Sequence, residues 1–437
     1  MHANTTLTVP TVQPLLQQLF PKAAGLPHIA PLAADASTRR YFRIHWHAPA
    51  ADCPASCVLM MCEPWQAQDT PDFLAVGQHL RVHGVRVPEV YGVAPREGLM
   101  CLEDYGDRTL AGQWQERSPV ERLAWGQRAI EELVKMHTGG TYHADPACPA
   151  FKLAFDVPKL LSELQYFREH AIAGLWQQAL SSTARADLDA AFETLCTILA
   201  SAPRYFCHRD YHGWNIMARD GTVGVLDFQD ARMGPQPYDL ASLLTDRGTP
   251  DLLGGALLTA LTDYYLQRMQ AEVGQRIDRD AFDQLFDYVA VQRCLKATGT
   301  FAAMAVVRQR PQYLPYIPPT LAYLRPLVQR YGALQPLAIL LRRHVPLWMD
   351  RKNKRPFSPM PPGRTPPAAT PRPRRWRRPQ RPAAARRSAA ERRLDMRLRI
   401  GEGEVSGVSR CEGLGTTGWG KPEGGGRFQT GLQGAKR

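Results

Sequence analysis

The stretch Phe206 to Met217, FCHRDYHGWNIM, sets His208, Arg209, Asp210, His212 and Asn215 within eight positions, and Asp227 follows twelve residues after Asn215. Two carboxylates and an amide at this spacing suit phosphoryl transfer, which asks a protein for positioning and electrostatics more than for covalent chemistry. Asp210 is the candidate to accept, or to orient, the proton of an acceptor hydroxyl. The amide oxygen of Asn215 and the carboxylate of Asp227 are hard ligands suited to Mg2+. His208 is expected to brace the loop by hydrogen bonds rather than to titrate. Asp239 in PYDLASLL reads as a helix cap or as a second brace, in either case structural. The competing reading is a polar hairpin assembled by chance. Two acids, an asparagine, apolar flanks and the downstream PYDL weigh against it.

These residues need elements to hold them. YFRIHWH (41–47), SCVLMMCE (56–63) and GLMCLEDYG (98–106) read as strands. Between the last two, TPDFLAVGQHLRVHG predicts a helix with Thr70 as cap, Pro71 in its first position and Gly84 beyond its end. From Ser118 the pattern turns helical, with Glu121 completing a capping box. Further helices are expected near 156–171, 184–200, 251–273, 279–308 and 320–343. A single β-rich interruption carries the polar loop, and Asp220-Gly221 marks its hairpin turn. The expected architecture is an α+β, two-lobed, protein-kinase-like fold. Its N-terminal nucleotide-binding lobe spans residues 1–103 and its helical catalytic lobe 104–346. A basic tail expected to be disordered spans 347–437.

Charge supports that division. The chain of 437 residues carries a formal +13, but residues 351–437 hold 22 Lys and Arg against 6 Asp and Glu, while the rest hold 32 against 35. The body is nearly neutral, so the overall charge is no evidence that the folded part binds nucleic acid. The tail is read as a solvated or out-of-frame extension, with an electrostatic tether as the alternative. Nine cysteines with no repeated CxxC spacing point to a reduced, cytoplasmic protein, and Cys53, Cys57 and Cys62 to incidental thiols rather than a metal site. No apolar run reaches the length of a membrane span, and no secretory leader is evident.

HRDYHGWN keeps the His, Arg, Asp and Asn of the kinase loop H-R-D-L-x-x-x-N, and Asp227-Phe228-Gln229 stands where kinases carry D-F-G. With VGVLDFQDA and GPQPYDLASLL, it resembles the aminoglycoside phosphotransferase and choline kinase superfamily, to whose second loop histidine His212 corresponds. ADASTRRYFRI, LMCLEDYGDRT and VQRCLKATGTFA are further similar to the bacterial anomeric N-acetylmuramate/N-acetylglucosamine kinases. The resemblance covers about residues 10 to 345. It implies an ATP- and Mg2+-dependent kinase that phosphorylates the C1 hydroxyl of a free amino sugar in peptidoglycan recycling. Other acceptors within the same fold are an aminoglycoside or a choline-like alcohol. A nucleotide-binding pseudokinase or a tail-mediated tether is the reading from another class. Oligomeric state is left open.

The pattern departs from ordinary kinases in the first hundred residues. No GxGxxG occurs there, no lysine lies between Lys22 and Lys135, and the helix after Pro71 contains no Glu. ADASTRRYFRI takes the phosphate-loop position, with Ser37, Thr38 and nearby backbone N–H groups toward phosphate, and Arg39, Arg40 or Arg43 as the cation. Strand alternation sets Arg39, Tyr41 and Arg43 on one face, and solvated strand arginines are the competing reading. Glu103 and Tyr105 fall where adenine would meet main-chain groups. For the acceptor, Tyr211, His212, Gln229, Asp230 and Arg293 are the candidates, with Lys296 beside them. Tyr166 and Phe167 are expected to stack on the sugar or to belong to the core.

Overall fold

The computed structural model describes residues 9–23, 27–32, 39–46 and 53–349. Ser37, Thr38 and the basic stretch after 350, expected to be disordered, lie outside the described residues.

The N-terminal lobe comprises α1 (Val9–Leu19), β1 (His28–Leu32), β2 (Arg40–His45), β3 (Ser56–Met61), α2 (Asp72–Val82), β4 (Val90–Ala94) and β5 (Leu99–Glu103). Its strands form one antiparallel sheet in the order β1-β2-β3-β5-β4. Alternation decides what each face covers. Phe42 and Ile44 pack with Val12, Leu15 and Leu16 of α1, whereas Tyr41 and Val58 turn toward the core shared with α2. The sequence signals reach β2, β3, α2 and β5 but miss β1 and β4, since HIAPL contains Pro31 and VYGVA contains Gly92, both poor strand formers. The start of α2 also differs by a residue. Pro71, at φ −55° and ψ 145°, takes the cap position itself, so Thr70 lies outside the helix.

After β5 the chain is mainly helical: α3 (Leu110–Glu116), α4 (Pro119–His137), α5 (Gly139–Tyr142), α6 (Val157–Phe167) and α7 (Ser182–Ser201). Ser118 and Glu121 form the expected capping box at the start of α4, each side chain bonded to the other's backbone N–H. Helix α6 widens into a π-helical segment, Arg168–Leu175, before it ends. Then come β6 (Arg204–Cys207), β7 (Ile216–Arg219), β8 (Thr222–Val225) and β9 (Arg232–Pro235), followed by α8 (Tyr238–Thr245), α9 (Thr249–Val273), α10 (Arg279–Val306), α11 (Ile317–Arg330) and α12 (Gln335–His344). Asp220 and Gly221, at φ 50° and 74°, turn β7 into β8 as the hairpin signal requires. The helix expected over 320–343 is two helices, because Tyr331 adopts extended backbone at φ −117° and ψ 135°.

Helix α10 runs through the C-terminal core and crosses α6 at Gly299. A Cβ there would lie 2.6 Å from Phe167 Cα and 2.9 Å from Phe167 N, both backbone atoms. Gly299→Ala is therefore expected to cost about 1–3 kcal/mol by overpacking, read as a drop of a few degrees in thermal midpoint. Gly255→Ala in α9, where a Cβ meets nothing within 4 Å, is the control. An unchanged midpoint for the first variant would mean that the crossing yields.

Candidate active site

The polar loop is strung between two strand pairs. Strand β6 pairs with β9 just before His208, and β7 pairs with β8 just after Asn215. Leu226 N closes the base of the loop on Asn215 O at 2.9 Å. Inside it, Arg209 adopts φ 84°, an unfavourable conformation for a residue with a Cβ. Fully buried Asp239, in the first turn of α8, holds that shape: its carboxylate accepts from His208 N at 2.6 Å and Arg209 N at 3.0 Å. The Arg209 carbonyl in turn accepts from Arg293 Nη1 at 2.6 Å. His208 is buried, with Nε2 2.8 Å from Leu226 O and Nδ1 3.3 Å from Asp210 N. The tautomer bearing its hydrogen on Nε2 satisfies both partners, inferred from the network.

Asp210, 32% exposed, faces a cluster of cations. Lys296 Nζ of α10 donates to its Oδ1 at 2.9 Å, and Arg209 Nε lies 3.9 Å from its Oδ2. Burial opposes its ionisation, yet Lys296, Arg209 and Arg293 hold the Asp210 carboxyl well below the usual carboxylate range. Buried Glu163 of α6 balances the cations, lying 3.8 Å from Arg209 Nη2 and 3.0 Å from Lys159 Nζ. Burial alone would raise its carboxyl, but Lys296, Lys159 and Arg209 bring it below its ordinary value. Asp230 pairs with Arg209 Nη1 at 3.1 Å.

Asn215 and Asp227 complete the site. Asn215 Nδ2 donates to the Asp210 carbonyl at 3.0 Å, which leaves its Oδ1 for another partner. Asp227 is exposed, in the left-handed region at φ 61°, and its Oδ1 accepts from Gln229 Nε2 at 2.7 Å. Phe228, next to it, is buried and stacks on Phe73 of α2 at 4.8 Å between ring centroids. A Cβ on Gly77 of α2 would meet the same ring at 3.1 Å. An aromatic contact therefore docks α2, where protein kinases place a Lys–Glu ion pair.

The structure brings Asp210, His208, Asn215, Asp227, Gln229, Asp230 and half-buried His212 to one site, but three expectations need correction. Tyr211 is fully buried and donates its hydroxyl to Ala129 O at 2.6 Å, so its ring is core and no platform for a ligand. Arg293 is buried beneath the loop, its guanidinium 4.8 Å from the Tyr238 ring centroid, and supports the loop backbone instead of reaching an acceptor. Arg43 is gripped at the joint between the lobes. Asp104 takes its Nε at 2.7 Å and its Nη2 at 3.0 Å, and Asp107 its Nη1 at 2.6 Å, which removes it as the phosphate cation. Asp104 also accepts from Ser56 Oγ at 2.7 Å and Gly106 N at 2.9 Å.

Arg39 sits at the entry to β2, close enough to Cys62 to oppose the burial that raises that thiol, and Arg40 lies over Phe42 at 5.2 Å. Glu103 ends β5, and buried Tyr105 packs under Arg86 at 5.4 Å and against Gly224. Phe167 is core, whereas Tyr166 remains 40% exposed. Three partnerships have no signature in the local spacing: the grip of Asp104 on Arg43, the place of Glu163 among the cations, and the direct bond from Lys296 to Asp210. A lysine amid the apolar run of α10 was the available signal for the last. Cys57 is buried and accepts from Cys101 Sγ at 3.2 Å, while Cys53 and Cys62 donate to the carbonyls of Pro54 and Gly98. Among the described residues no helix is long and apolar enough to cross a membrane.

A family model described as "Phosphotransferase enzyme family" matches residues 28–275. An N-acetylmuramate/N-acetylglucosamine kinase of Neisseria meningitidis serogroup B is 32% identical over 314 residues, 71% of this chain and 88% of that protein. The Pseudomonas aeruginosa protein of the same name is 30% identical over 319 residues, 72% of this chain and 87% of its own. Among solved structures, choline kinase from Cryptosporidium parvum Iowa II superposes with a TM-score of 0.53 over 77% of this chain and 100% of that one, at 10% identity. That likeness speaks for the fold alone: a two-lobed, kinase-like architecture.

Proposed function

The chain belongs to the phosphotransferase enzyme family, and from that premise we propose that it moves the terminal phosphoryl of ATP onto the C1 hydroxyl of a free N-acetyl amino sugar. N-acetylmuramate and N-acetylglucosamine, the sugars named for its relatives, are the acceptors, and cell-wall recycling in the cytoplasm is the setting. The observation that carries this reading is Asp210, a carboxylate held ionised and aimed by Lys296 at the head of a loop that ends in Asn215 and is followed by Asp227.

In this mechanism Asp210 orients the acceptor hydroxyl. The cations around it make it a weak base, so it takes the proton late, as the loose transition state of phosphoryl transfer allows. A hemiacetal hydroxyl suits such a base, because the ring oxygen withdraws charge and makes it more acidic than an ordinary alcohol. His208 and Asp239 keep the loop in shape, and Lys296 is the positioning residue for Asp210. Asn215 Oδ1 and the Asp227 carboxylate fit Mg2+, since each retains a hard oxygen after its hydrogen bond is counted. When bound, the metal neutralises charge on the phosphates. Arg39 and the backbone near Ser37 and Thr38 would meet those phosphates, and the peptide groups of Glu103 and Tyr105 the adenine. His212, Gln229 and Asp230 line the acceptor side.

A panel of free amino sugars, aminoglycosides and amino alcohols with ATP tests the reading. The expected product is a sugar whose anomeric proton couples to phosphorus in the NMR spectrum. Phosphate on C6, or on an aminoglycoside hydroxyl, would sink it.

A further inference from the structure

Beside the loop, Arg247 lies in a box of aromatic faces. Its guanidinium carbon is 5.7 Å from the ring centroid of Trp214, 5.9 Å from those of Phe301 and Tyr313, and 6.0 Å from that of Tyr316. Three separate segments supply the rings: the polar loop, α10 and the short turn Pro311–Tyr316. Arg247 holds φ 45°, a conformation that disfavours a residue with a Cβ, so the packing around it maintains the position. Trp214 keeps 39% of its surface exposed although it lies between His212 and Asn215.

Three polar atoms in this corner are closed to solvent and lack a hydrogen-bond partner: Arg247 Nε, Asp246 Oδ2 and His212 Nδ1. The first two face each other at 3.3 Å as an ion pair without a well-directed bond. His212 feels Asp246, Arg247 and Asp210 together, so the corner adjoins the loop carboxylate. Arg247 Nε is turned to Asp246, and the side chain keeps 18% of its surface exposed for a further contact. A guanidinium stacked on rings still offers its N–H edge, in the ring plane, to an oxyanion.

We propose that Arg247 seats the carboxylate of the acceptor, and so reads the lactyl acid group that N-acetylmuramate has and N-acetylglucosamine lacks. The proposal rests on the amino-sugar reading above. Losing one charge-assisted contact is expected to lower kcat/KM for N-acetylmuramate by about 10- to 100-fold relative to that for N-acetylglucosamine in Arg247→Gln, with Arg247→Lys restoring part of the ratio. On the unaltered protein, the methyl ester of N-acetylmuramate keeps the shape, loses the charge, and is expected to fall by a similar factor against the free acid. The ester needs no substitution, so it decides the matter even where the variants fail to fold. An unchanged ratio, an equal loss on both sugars, or an ester as good as the acid overturns the proposal. Phosphorylation of neither sugar by the unaltered chain is the distinct signature that the amino-sugar reading itself has failed.

Discussion

Asp210→Asn is expected to lower kcat by about 10³-fold while the Kd for ATP changes little, a loss within the range for a positioned acid–base group. The amide keeps the shape of the side chain and removes its charge. Two effects then add. The acceptor hydroxyl loses the group that orients it and takes its proton. Lys296, Arg209 and Arg293 lose the carboxylate that they jointly face, leaving Glu163 and Asp230 to balance them. Steady-state kinetics with calorimetric ATP binding separates the chemical step from nucleotide affinity, because the adenine and phosphate contacts proposed here lie in the other lobe. Unchanged turnover would remove Asp210 from the reaction.

Lys296→Met is expected to lower kcat by about 10²-fold with little change in KM for ATP, and Lys296→Arg to recover part of the loss. Methionine preserves the length and apolar packing of the stem but leaves Asp210 with Arg209 at 3.9 Å as its nearest paired cation. Burial holds the Lys296 ammonium below its ordinary value, and Asp210 and Glu163 offset part of that cost. A residue acting solely through Asp210 has a further signature. In the Asp210→Asn background, Lys296→Met should cost almost nothing more, since residues that work as a unit are not additive. A full second loss would assign Lys296 a contact of its own with substrate.

The loop was legible in the sequence because its chemistry is local. His208, Asp210 and Asn215 sit on one short turn between strands, and their spacing alone brings them together. The cap at Ser118 and Glu121 was legible for the same reason. What the sequence hid are partners supplied from far along the chain. Arg43 looked like a phosphate ligand because Asp104 and Asp107 lie 61 and 64 residues away. Arg293 and Lys296 are three residues apart on one helix face, and nothing in their spacing says which passes under the loop and which meets Asp210. Tyr211 stands between two site residues and yet turns to Ala129, since an irregular loop has no period from which to read side-chain direction.

The stacking of Phe73 on Phe228 bears on control as well as on architecture. In protein kinases the corresponding helix is tied by an ion pair that signals can break, which swings the helix away and switches the enzyme off. With no lysine between residues 22 and 135 and no glutamate on α2, this chain lacks that charge clamp. Two apolar rings gain nothing by separating in water, and salt does not screen them apart. The joint between α2 and the segment after Asp227 is thus a matter of burial and ring packing, with no charge pair of that kind to release.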